Sequence, residues 1–157
     1  MKVKLLVMDV DGTLTDGRIY MGAAGELMKA FDVKDGYGIA HILPGHGIVP
    51  VIITGRTSGI VEQRTRELNV TELYQGVSDK LAQLKAVAFK YGAAPAEIAY
   101  IGDDRNDGDC LRFCGVTACP SDAADEIKPM VTYVCRRDGG RGAVREFIDW
   151  LVSASGA

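Results

Sequence analysis

At 157 residues and 47% hydrophobic content, the chain can bury one good core and is too short for two ordinary domains, so a single domain over 1–157 is expected. Its 18 Lys and Arg are scattered among 21 Asp and Glu, for a formal net charge of −3; this excludes the basic surface of a nucleic-acid or membrane binder and favours a small anionic metabolite. No apolar run approaches the roughly 18 residues of a membrane span, and Met1-Lys2-Val3-Lys4 leads directly into a strand, so a cytoplasmic location is expected.

The first element is the apolar run Val3 to Met8, followed at once by Asp9-Val10-Asp11-Gly12-Thr13-Leu14-Thr15-Asp16-Gly17. A strand points alternate side chains the same way, so Asp9 and Asp11 can aim at one spot as the chain leaves it. Two carboxylates there suit a hard cation beside a phosphate. Mg2+ takes oxygen ligands, usually with only one or two protein carboxylates, and fills its other positions with water and substrate phosphate. Gly12 lets the backbone turn sharply and approach an anion closely. An acidic turn after a strand has the same composition, so the segment gains its meaning only in company with other polar segments at strand ends.

Arg18 to Met21 and Glu26 to Asp32, joined by Gly22-Ala23-Ala24-Gly25, read as a β-hairpin that projects beside the site. Asp35 to His46 reads as a helix ended around Pro44-Gly45, and Ile48 to Ile53 as a continuous apolar strand of the buried kind. That strand delivers Thr54-Gly55-Arg56, and Thr57 or Ser58 then caps a helix to Leu68. A hydroxyl, a glycine amide and a helix N-terminus can hold a phosphate oxygen, although Thr54-Gly55 also fits an ordinary strand-to-helix turn. A short strand at Glu72 to Tyr74 precedes Ser78, an N-cap for the helix Asp79 to Tyr91. Lys80 at that helix start opposes the macrodipole and makes better sense beside a bound anion than as a solvated surface residue.

Strand Ile98 to Ile101 ends in Gly102-Asp103-Asp104-Arg105-Asn106-Asp107, where so many close carboxylates repel unless a cation sits among them. A helix to Cys114, a strand Val116 to Cys119, a short helix about Ala123 to Met130, a strand Tyr133 to Cys135 and a last helix Ala143 to Val152 complete the chain. The alternation predicts an α/β, Rossmann-like fold: a parallel sheet with helices on both faces. The four cysteines, at 110, 114, 119 and 135, lack C-x-x-C spacing, so free, mostly buried thiols are expected. Cys110 and Cys114 would share one helical face as small apolar groups. His41 and His46 have no nearby ligand set and receive no role.

In chain order, D-V-D-G-T, T-G-R, Lys80 and G-D-D-R-N-D resemble the four motifs of the haloacid dehalogenase superfamily across Asp9 to Asp107. That resemblance implies Asp9 as nucleophile, Asp11 as general acid and base, and Thr54 and Lys80 as phosphate holders. It places Mg2+ on Asp9, the backbone carbonyl of Asp11, and Asp103. No cap domain fits between the motifs, so a neighbouring subunit is expected to act as lid.

Nearly the whole chain, including T-D-G-R-I-Y, K-A-F-D-V-K-D-G, Y-Q-G-V-S-D-K and G-G-R-G-A-V-R-E-F, resembles the capless, tetramer-forming subclass. Its members are 3-deoxy-D-manno-octulosonate 8-phosphate phosphatases and their sialic-acid-pathway relatives. In that family the positions matching Asp32, Val33, Lys34, Asp35, Gly36, Arg56, Arg64 and Asn106 contact substrate, together with Asp11, Gly55 and Lys80. Arg56 and Arg64 also suit the carboxylate of a 2-keto sugar acid, since guanidinium pairs with it bidentately; Arg64 equally fits a surface helix arginine.

Relatives acting on nine-carbon acids tend to carry T-G-E and a basic residue just before the helix-ending leucine, where this chain has Arg56 and Glu67. That leans toward the eight-carbon substrate. The Ala-Cys-Pro-Ser-Asp-Ala and Tyr-Val-Cys segments are similar to phosphatase-like domains attached to acylneuraminate cytidylyltransferases. An acylneuraminate 9-phosphate substrate and a noncatalytic oligomerisation module therefore stand as alternatives. Clustered carboxylates weigh against the module, because a scaffold gains nothing from them, and the missing cap weighs against a phosphomutase. The Gly139-Gly140-Arg141-Gly142 turn either reaches a neighbour's site, as the resemblance implies, or is a loop whose glycines permit positive φ.

Overall fold

The computed structural model describes residues 2–155; Met1 and residues 156–157, the ends of the expected domain, lie outside the described residues. In chain order come β1 (Leu5–Met8), the hairpin strands β2 (Tyr20–Gly22) and β3 (Gly25–Met28), α1 (Val33–Tyr37), a π-helical turn (Gly38–Ile42), α2 (Leu43–Gly45), β4 (Val49–Ile53) and α3 (Gly59–Glu67). Then come β5 (Glu72–Tyr74), α4 (Lys80–Tyr91), β6 (Ile98–Ile101), α5 (Gly108–Phe113), β7 (Val116–Cys119), β8 (Tyr133–Val134) and α6 (Ala143–Ser155).

Six strands make one sheet in the order β5-β4-β1-β6-β7-β8, every pairing parallel, and β2-β3 form a separate antiparallel ribbon. The central strands are apolar on both sides because both faces are covered. Leu6 and Met8 pack with Ile39, Leu43, Phe147 and Leu151 on one face. Leu5 and Val7 pack with Leu84, Val87 and Leu111 on the other. Met8 pairs with both Ile52 and Ile101, so the chain leaves β1, β4 and β6 at nearly the same level. Asp9, Thr54 and the Gly102 loop therefore meet at one carboxyl edge, where open parallel sheets bind ligands.

Two predicted helices differ. The helix expected over Asp35 to His46 starts earlier, capped by Asp32, and widens into the π turn, in which the Leu43 N–H donates to Gly38 O. Pro44 has no N–H to give to the Ala40 carbonyl, which a regular α-helix would require. The short helix expected about Ala123 to Met130 is reduced to a 3-10 turn at Lys128–Met130; Pro129 cannot donate to the Asp125 carbonyl. Cys114 caps α5 in an extended conformation instead of continuing its face. All four thiols are free, three of them buried. Among the described residues no helix is long and apolar enough to cross a membrane.

Asp35 joins α1 to α6. Its Oδ1 accepts from the Arg145 amide at 2.8 Å, while Oδ2 is buried without a partner. Burial pushes this carboxyl from 3.8 up to about 6, against the opposing hydrogen bond from Arg145. The folded value lies above the ordinary one, so its contribution to stability is complete below 3.8 and is lost as pH rises through about 6. Asp35→Asn keeps an acceptor for Arg145 and removes the charge. Thermal melts are expected to place its midpoint about 2–4 °C above the parent's at pH 8, with the gap closing as pH falls from 6 to 4.

Candidate active site

The loop after β1 is wound around one carbonyl: the amides of Thr13, Leu14 and Thr15 all donate to Val10 O. Gly12 adopts φ +93°, and a Cβ there would overlap the Asp103 carboxylate. This glycine admits the second acidic loop to the first. Thr13 Oγ1 completes the junction by donating to Asp103 Oδ1 at 3.2 Å. From below, the Gly139–Gly142 turn packs under the same loop within its own chain. The Gly140 amide donates to Thr13 O at 3.1 Å, and a Cβ on Gly139 would overlap the Gly12 carbonyl. Those glycines are required by close backbone approach, a signal that their clustering carried and that chain order alone did not assign to this partner.

Lys80 is the first residue of α4, whose N-cap is Asp79, not the expected Ser78. Its side chain turns into the sheet edge, 3% exposed, with Nζ 2.7 Å from Asp9 Oδ1 and 2.9 Å from Asp107 Oδ1. Asp107 closed the acidic loop that the sequence marks as a cation site but had no role of its own there, yet it is fully buried and organises the site. Its Oδ1 also accepts from Tyr100 Oη at 2.6 Å, and its Oδ2 accepts from the amides of Asp103 and Asp104 at 3.0 and 3.3 Å. Both oxygens are thus occupied. The available signal was its place four residues after Asp103 on a loop that must turn back on itself.

Carboxylate oxygens of Asp9, Asp103 and Asp107 lie within 4.8 Å of one another. Burial first, and Asp107 second, push Asp9 up to about 6 despite the Lys80 ammonium. Burial and then Asp9 push Asp103 up to about 8. Burial works against the Lys80 charge, but Asp9 and Asp107 outweigh it and raise its pKa. Three carboxylates thus face one ammonium. The deficit is positive charge next to hard oxygen donors, which a divalent cation of the magnesium type fits. With Asp107 committed to Lys80, Tyr100 and two amides, Asp9 and Asp103 are the carboxylates left to hold it. The Asp11 carboxylate is not in the cluster.

A cleft of about 290 Å³ is lined by Asp9, Asp11, Gly17, Thr54, Gly55, Arg56, Asp103, Asp104 and Asn106. Most predicted site residues therefore converge. Asp32, Asp35, Gly36 and Arg64 do not: they border a separate small cavity of about 10 Å³ with Phe31 and Leu68. Arg64 packs its guanidinium over Phe31 at 5.6 Å and pairs with Glu67 at 3.3 Å. Lys34 lines a third hollow beside α6, and Val33 is exposed. Sequence reasoning also missed Lys29 and Glu26, which the hairpin carries against Asp11 and Arg56 of the cleft wall.

Comparison with known proteins gives a consistent result. A family model for haloacid dehalogenase-like hydrolases matches residues 53–148. The 3-deoxy-D-manno-octulosonate 8-phosphate phosphatase of Escherichia coli K12 is 46% identical over 154 residues, spanning 98% of this chain and 81% of that protein. The crystal structure of the Yersinia pestis phosphatase of the same name superposes with a TM-score of 0.94 at 44% identity, over 98% of this chain and 83% of that one. The Moraxella catarrhalis phosphatase, solved with magnesium, phosphate and KDO, gives 0.92 at 38% identity, over 97% and 87%. By motif, fold and sequence, the chain belongs to the haloacid dehalogenase-like hydrolases.

Proposed function

We propose that this protein is a Mg2+-dependent phosphatase that hydrolyses 3-deoxy-D-manno-octulosonate 8-phosphate by way of an aspartyl phosphate. The observation that carries the reading is Lys80, buried between Asp9 and Asp107, with Asp9 lining a cleft that Asp103 and Thr54 also line. Asp9 attacks phosphorus in line, and the P–O bond to the sugar breaks as Asp11 gives its proton to the leaving alkoxide. Water then attacks the phosphoryl group. Asp11 takes its proton, and the Asp9 carboxylate leaves. Thr54 and the Gly55 amide hold phosphoryl oxygens, while Lys80 neutralises charge on them and orients Asp9. Mg2+, held by Asp9, Asp103 and the Asp11 carbonyl, supplies further charge neutralisation when bound.

Arg56, half exposed at the mouth, suits the substrate carboxylate, and Asn106 a sugar hydroxyl. Asp32 to Gly36 and Arg64 lie outside the cleft of their own chain; Val33 and Lys34 are exposed and could serve a neighbouring copy's substrate, whereas Asp35 and Gly36 are buried. The exposed apolar residues Met21, Leu27, Met28, Val33 and Tyr37, on the hairpin and α1, support association into the cytoplasmic homotetramer that such sharing needs.

The test is phosphate release from octulosonate 8-phosphate against acylneuraminate 9-phosphate. The eight-carbon ester is expected to show a kcat/KM at least about tenfold higher. Equal, slow release from both defeats the substrate assignment, and a preference for the nine-carbon ester replaces it.

A further inference from the structure

Two lysines with enclosed side chains stand behind the D-V-D segment, one for each carboxylate. Lys80 serves Asp9. Lys29, just past the end of β3, serves Asp11: its side chain is 1% exposed, and Nζ lies 2.5 Å from Asp11 Oδ1 and 3.0 Å from Glu26 Oε2. Glu26 accepts from Ser58 Oγ at 2.6 Å and stands 3.7 Å from Arg56. A continuous polar series, Asp11 to Lys29 to Glu26 to Ser58, therefore crosses from the loop after β1, through the hairpin, to the N-cap of α3. Its Asp11 end lines the cleft, as does Arg56 beside Glu26. Attachment of the hairpin alone does not explain it, because well-packed apolar residues hold elements together as well as a buried ion pair or better. Lysine is also among the residues least often buried.

We propose that Lys29 is a positioning residue for Asp11, clamping the acid–base carboxyl from behind while Glu26, itself held by Ser58, clamps Lys29. This rests on the assignment of Asp11 as general acid and base. An ammonium only donates hydrogen bonds, so the Asp11 oxygen it touches, Oδ1, carries no proton. Oδ2 then holds the proton that passes to the leaving alkoxide as the P–O bond breaks, and the same oxygen takes one from water as the aspartyl phosphate is cleaved. The hairpin thereby becomes part of the catalytic geometry, since a shift in β3 moves Lys29 and with it Asp11.

The test compares Lys29→Met on two esters: octulosonate 8-phosphate, whose alkoxide must be protonated, and 4-nitrophenyl phosphate, whose phenolate leaves without a proton. For the alkyl ester, kcat is expected to fall about 10–100-fold with KM within about threefold of the parent. For the aryl ester, about one equivalent of nitrophenolate per site is expected in a burst, followed by slow turnover, because the attacking water has lost an aligned base. Lys29→Arg is expected to recover most of the alkyl-ester kcat. The double variant Lys29→Met with Glu26→Gln leaves no unpaired carboxylate on the hairpin and is expected to fold and repeat the Lys29→Met pattern. The proposal is overturned if the double variant, folded by circular dichroism, keeps the parental kcat, or loses both esters equally through a raised KM. Asp11→Asn separates the two levels: if it is inactive on the alkyl ester while Lys29→Met is normal, only the Lys29 role fails. If Asp11→Asn is itself normal, the acid–base assignment fails and takes the Lys29 role with it.

Discussion

Asp9→Asn is expected to lower kcat for phosphate release by at least about 10⁴-fold while leaving the fold intact. The amide has nearly the shape of the carboxyl, and its oxygen can still accept from Lys80, which lies 2.7 Å from Asp9 Oδ1. What it lacks is the anionic oxygen that must form the bond to phosphorus, and the neighbouring carboxylates are committed elsewhere, Asp103 to Thr13 Oγ1. Asp107 is saturated by Lys80, Tyr100 and two amides, and Asp11 is held by Lys29. Stability moves the other way. Burial and Asp107 raise the pKa of Asp9 to about 6, so the charged form is disfavoured in the folded protein and its contribution declines as pH rises through that value. The variant should therefore melt no lower than the parent at pH 8. Phosphate release within tenfold of the parent's rules out Asp9 as nucleophile; a collapsed circular dichroism spectrum rules out the placement of its carboxyl within a tolerant cleft.

The parallel core was legible because its strands are buried on both faces, and unbroken apolar runs such as Val51 to Ile53 and Ile98 to Ile101 have few other uses. Asp9, Thr54 and Asp103 were legible for a related reason. Each sits directly after such a run, and the level register of β1, β4 and β6 converts sequence position into spatial convergence. Lys29 and Glu26 were not, since a two-stranded ribbon outside the sheet has no core to fix which face turns inward, and Met21, Leu27 and Met28 point to solvent in this chain. Asp107 was hidden by its neighbours: in a run of five polar and charged residues, nothing local distinguishes the one carboxylate that is wholly buried. The Asp32 to Gly36 segment shows the remaining gap. Its residues were assigned through resemblance, and within a single chain they form a helix cap, an inter-helix contact to Arg145 and the wall of an apolar cavity.

Metal removal is expected to have an effect nearly as large. After EDTA treatment, kcat should fall at least about 10³-fold, because positioning and charge neutralisation supply most of the catalysis of phosphoryl transfer, and added Mg2+ should restore it. Stability gives an independent readout. Burial and Asp9 hold Asp103 up at about 8, and Asp9 itself lies at about 6, so in the metal-free protein the stability that these groups contribute is lost as pH rises through that window. A divalent cation between them reverses the loss. At a Mg2+ concentration near 100 times its dissociation constant, the gain is about 2.7 kcal/mol, or a midpoint about 5–10 °C higher at pH 8 for a domain of this size. Below about pH 6 protons compete for the same oxygens, and the shift should fade. Asp103→Asn removes one ligand and the repulsion together, so its metal-free midpoint at pH 8 should exceed the parent's while its response to Mg2+ largely disappears. A parent protein whose midpoint at pH 8 ignores millimolar Mg2+, or an Asp103→Asn variant that responds as strongly as the parent, shows that the two acidic loops do not share an ion.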